Sequence, residues 1–277
     1  MVKITLISLL LHVKFMFNLI NPIFSTEIVG NDFTSIPKTS NYKISLNKSR
    51  PLKIISKGDI LISEVLFNPR TGGVDFVEIY NHSNHEIDLK ELQLANANTG
   101  SVILLSNNQV LDRLDYNAKI HHPLIQDEDG VSLERVSFSL STNDPDNFKS
   151  AAASAGFATP TYKNSQERSG DESYARLLSK TFSPDGDNFE DMMTLEYQVA
   201  QPASLATANI YSDKGKLVKK LMKNQTIGTN GNLTWDGVDE QGQKAAIGIY
   251  IVLFDVFDLN GNTKRFKNTC VLAGRLN

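Results

Sequence analysis

From residue 60 onward the chain is built of short runs in which apolar and polar residues alternate, each run broken by Gly, Asn, Asp or Pro. A period of two sends successive side chains to opposite faces of a strand, so the pattern predicts β-structure throughout. In the first half it predicts strands over 60–67, 75–80, 87–89 with 92–94, 101–105, 109–116 and 131–138. The cleanest is Asp75-Phe76-Val77-Glu78-Ile79-Tyr80, which sets Phe76 and Glu78 on one face and Val77 and Ile79 on the other; Phe76 is taken as a core residue. In the second half the predicted strands are 175–179, 193–199, 206–211, 217–222, 233–235, 248–257 and 264–271, with turn formers between them such as Ser212-Asp213-Lys214-Gly215 and Asp239-Glu240-Gln241-Gly242. Strands this short need two sheets or a barrel to bury their faces. A series of them separated by turns is the pattern of an immunoglobulin-like sandwich.

Two stretches interrupt the periodicity. Residues 143–162 are long and irregular, and 164–173 are polar without any period, which places the boundary between two modules there. The resulting division is 1–25 as a signal peptide, 26–57 as a linker or lead-in strand, 58–162 as the first sandwich, 163–173 as a linker and 174–277 as the second sandwich. The leader reading rests on Lys3 ahead of the apolar runs 4–11 and 15–24, with His12 and Lys14 interrupting them; it corresponds to a signal peptide of about 25 residues. No apolar stretch reaches the ~18 residues of a membrane-spanning helix, so none is expected.

Composition narrows the function class. With 277 residues, a formal net charge of -3 and 21% charged residues, the chain lacks the basic surface that nucleic-acid binding requires, and no nucleic-acid partner is expected. The single cysteine, Cys270, excludes an intrachain disulfide; flanked by Thr269, Val271 and Leu272 it reads as a buried strand residue.

Two segments resemble known families. "ISEVLFNPRTGGVDFVEIYN", "IDLKELQLAN", "QVLDRLDYNAKIHHPLIQDEDGVSLERVSF" and "TNDPDNFKSAAASAGFATPTYKNS", within 58–162, resemble the lamin tail domain as it occurs in Bacteroidetes surface or secreted proteins. The resemblance implies an immunoglobulin-like sandwich. Between Leu94 and Val102 this chain is shorter than that family, which implies a trimmed first sandwich with an exposed sheet edge. "KTFSPDGDNFEDMMTLEY", "ANIYSDKGKLVKKL" and "LTWDGVDEQGQKAAIGIYIVLFDVFDLNGNTKRFK", within 174–274, resemble the FlgD-like immunoglobulin module of exported bacterial proteins, with Trp-Asp-Gly ahead of a turn and Gly-Ile-Tyr opening a late strand. Together the resemblances imply a non-catalytic structural or interaction module of a secreted or cell-surface, outer-membrane-associated bacterial protein, with protein or glycan partners at the envelope. The alternative they leave is the accessory C-terminal portion of a larger secreted enzyme such as a nuclease or phosphatase.

Candidate chemistry is sparse. The densest run of side-chain oxygens is Asp185-Gly186-Asp187-Asn188-Phe189-Glu190-Asp191. Ca²⁺ takes six to eight oxygens, roughly, at close range, and Asp185, Asp187, Asn188 and Asp191 supply them from one turn. The other reading of the same residues is a turn in which Asp side chains cap local N–H groups. Trp235 and Tyr250 are expected in the core of the second sandwich. His82, His85, His121 and His122 lack the convergent spacing of a zinc site. Glu64 and Glu78, on neighbouring strands, are read as a solvated face or as partners of Arg70 or Arg135. No Gly-x-Ser-x-Gly elbow, phosphate-binding loop or dinucleotide fingerprint occurs, so no catalytic residue is assigned.

Overall fold

A computed structural model describes the backbone of residues 3–8 and residues 54–97 and 100–274. Of the stretch read as a leader, Lys3–Ser8 forms β1; the rest of 1–25 and nearly all of 26–57 lie outside the described residues. The chain is all-β and builds two immunoglobulin-like sandwiches.

The first sandwich comprises β1 (Lys3–Ser8), β2 (Ile60–Leu66), β3 (Asp75–Asn81), β4 (Leu92–Ala97), β5 (Ser101–Ser106), β6 (Gln109–Asp115), β7 (Leu133–Arg135) and β8 (Phe148–Ser150). One sheet has the order β1-β3-β2-β7-β8 and the other β4-β5-β6. Ile60, Ile62, Val65, Val77 and Ile79 from the first sheet and Leu92, Val102, Leu104, Leu111 and Leu114 from the second close the core between them. The register of β5 and β6 is set by their turn. Ser106 pairs with Gln109, and the two intervening residues, Asn107 (φ 50) and Asn108 (φ 64), both occupy the left-handed region that a type I′ hairpin demands and Asn tolerates. The short segment after Leu94 joins β4 to β5 as antiparallel neighbours.

The second sandwich comprises β9 (Tyr174–Leu177), β10 (Thr181–Phe182), β11 (Met193–Gln198), β12 (Leu205–Ser212), β13 (Leu217–Thr226), β14 (Asn230–Trp235), β15 (Gly248–Phe257) and β16 (Thr263–Leu272). Its sheets run β10-β16-β15-β12-β13 and β14-β11-β9. Strict alternation along β11 and β15 buries Met193, Leu195 and Tyr197 against Tyr250, Val252, Phe254 and Val256. Trp235 is buried between Phe182 (5.4 Å) and the edge of Tyr250 (4.9 Å), and its indole N–H donates to the Val238 carbonyl at 2.9 Å. The Tyr250 hydroxyl donates to the Ala246 carbonyl at 2.5 Å, so both amphipathic aromatics satisfy their polar ends. Cys270 is buried in the same core, and desolvation pushes its thiol up to about 11.

Four details depart from the pattern-based expectation. Residues 87–89 form no strand. The predicted strand 131–138 shrinks to Leu133–Arg135; Val131 N is drawn into a turn with the Glu128 carbonyl, and Val136 N bonds the carbonyl of Asn147, just ahead of β8. The irregular stretch 143–162 contains a strand, β8, too short to show a period. Phe76 is buried but on the Glu78 face, away from the apolar cluster that its neighbours Val77 and Ile79 enter.

Candidate functional site

The acidic loop follows β10. Asp185, Asp187 and Asp191 converge, with one carboxylate oxygen from each within 4.8 Å of the others. Four of their six carboxylate oxygens are engaged by the loop's own backbone. Asp191 accepts from Gly186 N at 2.8 Å and from Asn188 N at 2.9 Å, one on each oxygen; Asp187 accepts from Phe189 N at 2.8 Å and Asp185 from Asp187 N at 3.3 Å. Asn188 contributes its N–H and a left-handed backbone (φ 68). The arrangement caps a tight turn. A related device recurs twice. Asp239 accepts from Gln241 N and Gln243 N, and Asp258 from Asn260 N and Asn262 N, each ahead of a left-handed glycine, Gly242 or Gly261.

The polar interior of the first sandwich is the larger surprise. Glu64 on β2 stands opposite Glu78 on β3 and opposite Glu134 on β7, so three glutamates sit side by side across three strands. All three are fully buried, which corrects the expectation of a solvated face. Neither Arg70 nor Arg135, the partners expected from the sequence, turns to them. Arg70 donates to the Asp129 carbonyl, and Arg135 goes elsewhere in the core. A strap of irregular chain, 157–169, lies over the glutamates and supplies their partners. Glu64 Oε1 accepts from Ser132 Oγ at 2.5 Å and Thr159 N at 2.8 Å. Glu134 Oε2 accepts from Ser165 Oγ at 2.7 Å and Gln166 N at 2.9 Å. Glu78 Oε2 accepts from Thr161 N at 2.5 Å. The Thr159 hydroxyl lies between two of them, 2.5 Å from Glu134 Oε1 and 3.2 Å from Glu64 Oε2. Desolvation, then the neighbouring Glu134 charge, pushes Glu64 up to about 8; burial raises Glu134 as well.

Arg135 is buried on the β7 side. Its guanidinium donates to the Ile62 carbonyl at 2.6 Å, to Asp112 Oδ2 at 3.1 Å and to Thr142 Oγ1 at 2.7 Å, and it stacks between Phe138 (5.6 Å) and Phe148 (5.1 Å). Asp112, on β6, also accepts from Ile62 N at 2.8 Å and from the Thr142 hydroxyl. One buried ion pair therefore bolts the second sheet to the first. Desolvation brings Arg135 down to about 10, opposed by the Asp112 charge. The adjacent histidines meet on one residue: Ser150 Oγ lies 3.0 Å from His121 Nδ1 and accepts from His122 N at 2.9 Å. Burial lowers the basicity of both rings, as expected of packed neutral imidazoles.

Residues 163–169, read from sequence as linker, are where the modules meet. Asn164 and Gln166 are buried. Asn164 donates to the Ser63 and Arg135 carbonyls at 2.9 and 3.0 Å, on the first module. Gln166 reaches the second: its Oε1 accepts from Ala203 N at 2.6 Å and its Nε2 donates to the Ile227 carbonyl at 3.3 Å. Thr229 N donates to the Ser165 carbonyl, Ala153 N to Thr226 Oγ1, and Gly228 N to Ser154 Oγ. Polarity hid this from the sequence reading, since nothing local distinguishes a solvated Asn or Gln from one that satisfies buried backbone groups.

Comparison with known proteins places one half of this architecture. Residues 179–253 match the FlgD Ig-like domain family, so the second sandwich contains a FlgD Ig-like domain. No curated protein matches the sequence. Solved structures that the chain matches include CopC from Methylosinus trichosporium OB3b (22% identity, TM-score 0.26, covering 38% of this chain and 98% of that one) and FlgD from P. aeruginosa (19%, 0.25, 35% and 66%). PorU from Porphyromonas gingivalis, described as dimeric and latent, is 12% identical with a TM-score of 0.29; the match covers 73% of this chain and 14% of PorU. At these TM-scores the likenesses carry no argument about function.

Proposed function

We propose that the chain is a non-catalytic structural or interaction module of an exported bacterial surface protein, a lamin-tail-like sandwich followed by a FlgD-like one. The observation that carries this reading is the FlgD Ig-like match at 179–253, set in a chain whose clustered ionisable groups are spent on holding the fold. The three glutamates bind the strap, Arg135 and Asp112 bind each other, and the acidic loop caps itself. Among the described residues no helix is long and apolar enough to cross a membrane; the partners assigned in this reading are proteins or glycans at the envelope. The test is protease shaving of intact cells expressing the tagged chain. Surface peptides from the two sandwiches are expected in the released fraction. Recovery of the intact chain only after cell lysis would refute the surface assignment.

A further inference from the structure

We propose that the 157–169 strap is a proton-dependent joint: one proton held between Glu64 and Glu134 through the Thr159 hydroxyl keeps the strap seated, and the seated strap fixes the second sandwich against the first. Counting hydrogens leads to the proton. Thr159 Oγ1 has a single hydrogen and two carboxylate neighbours, and it donates along the shorter contact, 2.5 Å to Glu134 Oε1. Glu64 Oε2, 3.2 Å away, then faces a lone pair on the same hydroxyl. Two acceptors facing each other in a buried site repel, unless Glu64 itself carries a hydrogen there. Glu64 Oε1 already accepts two hydrogen bonds, and Glu134 Oε2 accepts two as well, the pattern of an ionised carboxylate. The interior therefore holds one neutral and one charged glutamate, linked Glu64 Oε2–H to Thr159 Oγ1–H to Glu134 Oε1.

A second observation shows that the strap is held against its own preference. Phe157 (φ 70) and Thr161 (φ 70) lie in the left-handed region, as does Ala203 (φ 55), the residue on which Gln166 docks. A β-branched or bulky side chain resists that backbone and keeps it only where the surroundings over-determine it. Here the surroundings are the carboxylates: Thr159 N and Thr161 N are bound by Glu64 and Glu78, and Gln166 N by Glu134. The same residues continue into the second sandwich through Ser165, Gln166 and Thr229. The charged groups around the pair leave it uncompensated. Glu78 flanks it on β3; Lys149, opposite Glu134 on β8, turns its ammonium to Asp146; Lys163 and Glu167 of the strap pair with each other at 3.7 Å. Loss of the proton to solvent leaves two like charges facing across one hydroxyl, with no cation among the described residues to offset them. With Glu64 raised to about 8, the joint is seated in neutral and acidic solution and loosens in alkaline solution.

Spin labels on the full chain at Lys119→Cys and Lys214→Cys, one exposed site on each sandwich, test this; buried Cys270 stays unlabelled. Pulsed dipolar spectroscopy is expected to give one narrow distance at about pH 6 and a distribution at least about twice as wide at about pH 9.5, reversing on return. Glu64→Gln, whose amide supplies the hydrogen permanently, should stay narrow at both. An unchanged width in the wild-type protein at the higher pH overturns the proposal even if the variant fails to fold. So does a broad distribution for Glu64→Gln near pH 6.

Discussion

Replacing Glu64 by glutamine should make the first sandwich more stable above neutral pH, a direction opposite to that of most substitutions at fully buried polar positions. Burial, then the Glu134 charge, lifts the Glu64 carboxyl from 4.5 to about 8 in the folded protein. A raised value means the folded state binds the proton more tightly than the unfolded one. Its stabilising effect is complete below the unfolded value of 4.5 and is lost as pH rises through the folded value near 8. At about 1.4 kcal/mol per pH unit the window corresponds to roughly 5 kcal/mol at most. Glutamine has no proton to lose, and it keeps the acceptor for Ser132 and Thr159 N while its amide donates to Thr159 Oγ1. The assay is guanidinium denaturation of wild type and variant between about pH 4.5 and 9, the difference in ΔG being taken at each pH so that other carboxylates cancel. Circular dichroism follows both sandwiches, while fluorescence of the sole tryptophan, Trp235, reports the second alone. The difference should grow in favour of glutamine by about 1 kcal/mol or more per pH unit near the middle of the window. A pH-independent difference, or one favouring the wild type above neutral pH, would refute the shared-proton reasoning.

Asp112→Ala leaves Arg135 buried without its carboxylate and should cost about 3 to 5 kcal/mol, measured by the same denaturation series; a loss below about 1 kcal/mol would mean that the ion pair is not what bolts the sheets. Gly231→Ala places a methyl 2.6 Å from the hydroxyl oxygen of buried Tyr197, and it should lower stability by about 1 to 3 kcal/mol, read from the Trp235 transition. Asp191→Ala removes two N–H acceptors from the acidic loop and should cost about 1 to 2 kcal/mol. Because those oxygens already serve the backbone, millimolar Ca²⁺ after EDTA should leave the melting temperature of the wild-type protein unchanged in calorimetry; a rise that Asp187→Ala abolishes would assign the loop to a cation.

The strands were legible where alternation was long. β11 and β15 show their buried face in the sequence, and the turn residues around Gly242 and Gly261 mark their bends. The two-residue strand β10 was not legible, since Thr181–Phe182 is too short to carry a period and pairs across the whole module. The glutamates illustrate a deeper limit. Glu64, Glu78 and Glu134 each look like the polar side of a strand, and only the non-local order β3-β2-β7 lines them up. What covers them is a strap 93 to 105 residues beyond Glu64, whose polar side chains look like those of any loop. Arg135 was similarly misplaced, because its partner Asp112 belongs to the other sheet.

The parallel pairing of β10 with β16 has a mechanical consequence. Thr181 and Phe182 run in the same direction as Val271 and Leu272, joined by Val271 N to Lys180 O at 2.8 Å and Ala273 N to Phe182 O at 2.9 Å. Once β9 is drawn off β11, tension that enters through β10 and leaves through β16 pulls these neighbours past each other along their length. The bonds between them are then loaded together in shear and do not peel one at a time. A domain wired in this way resists being drawn out by its ends.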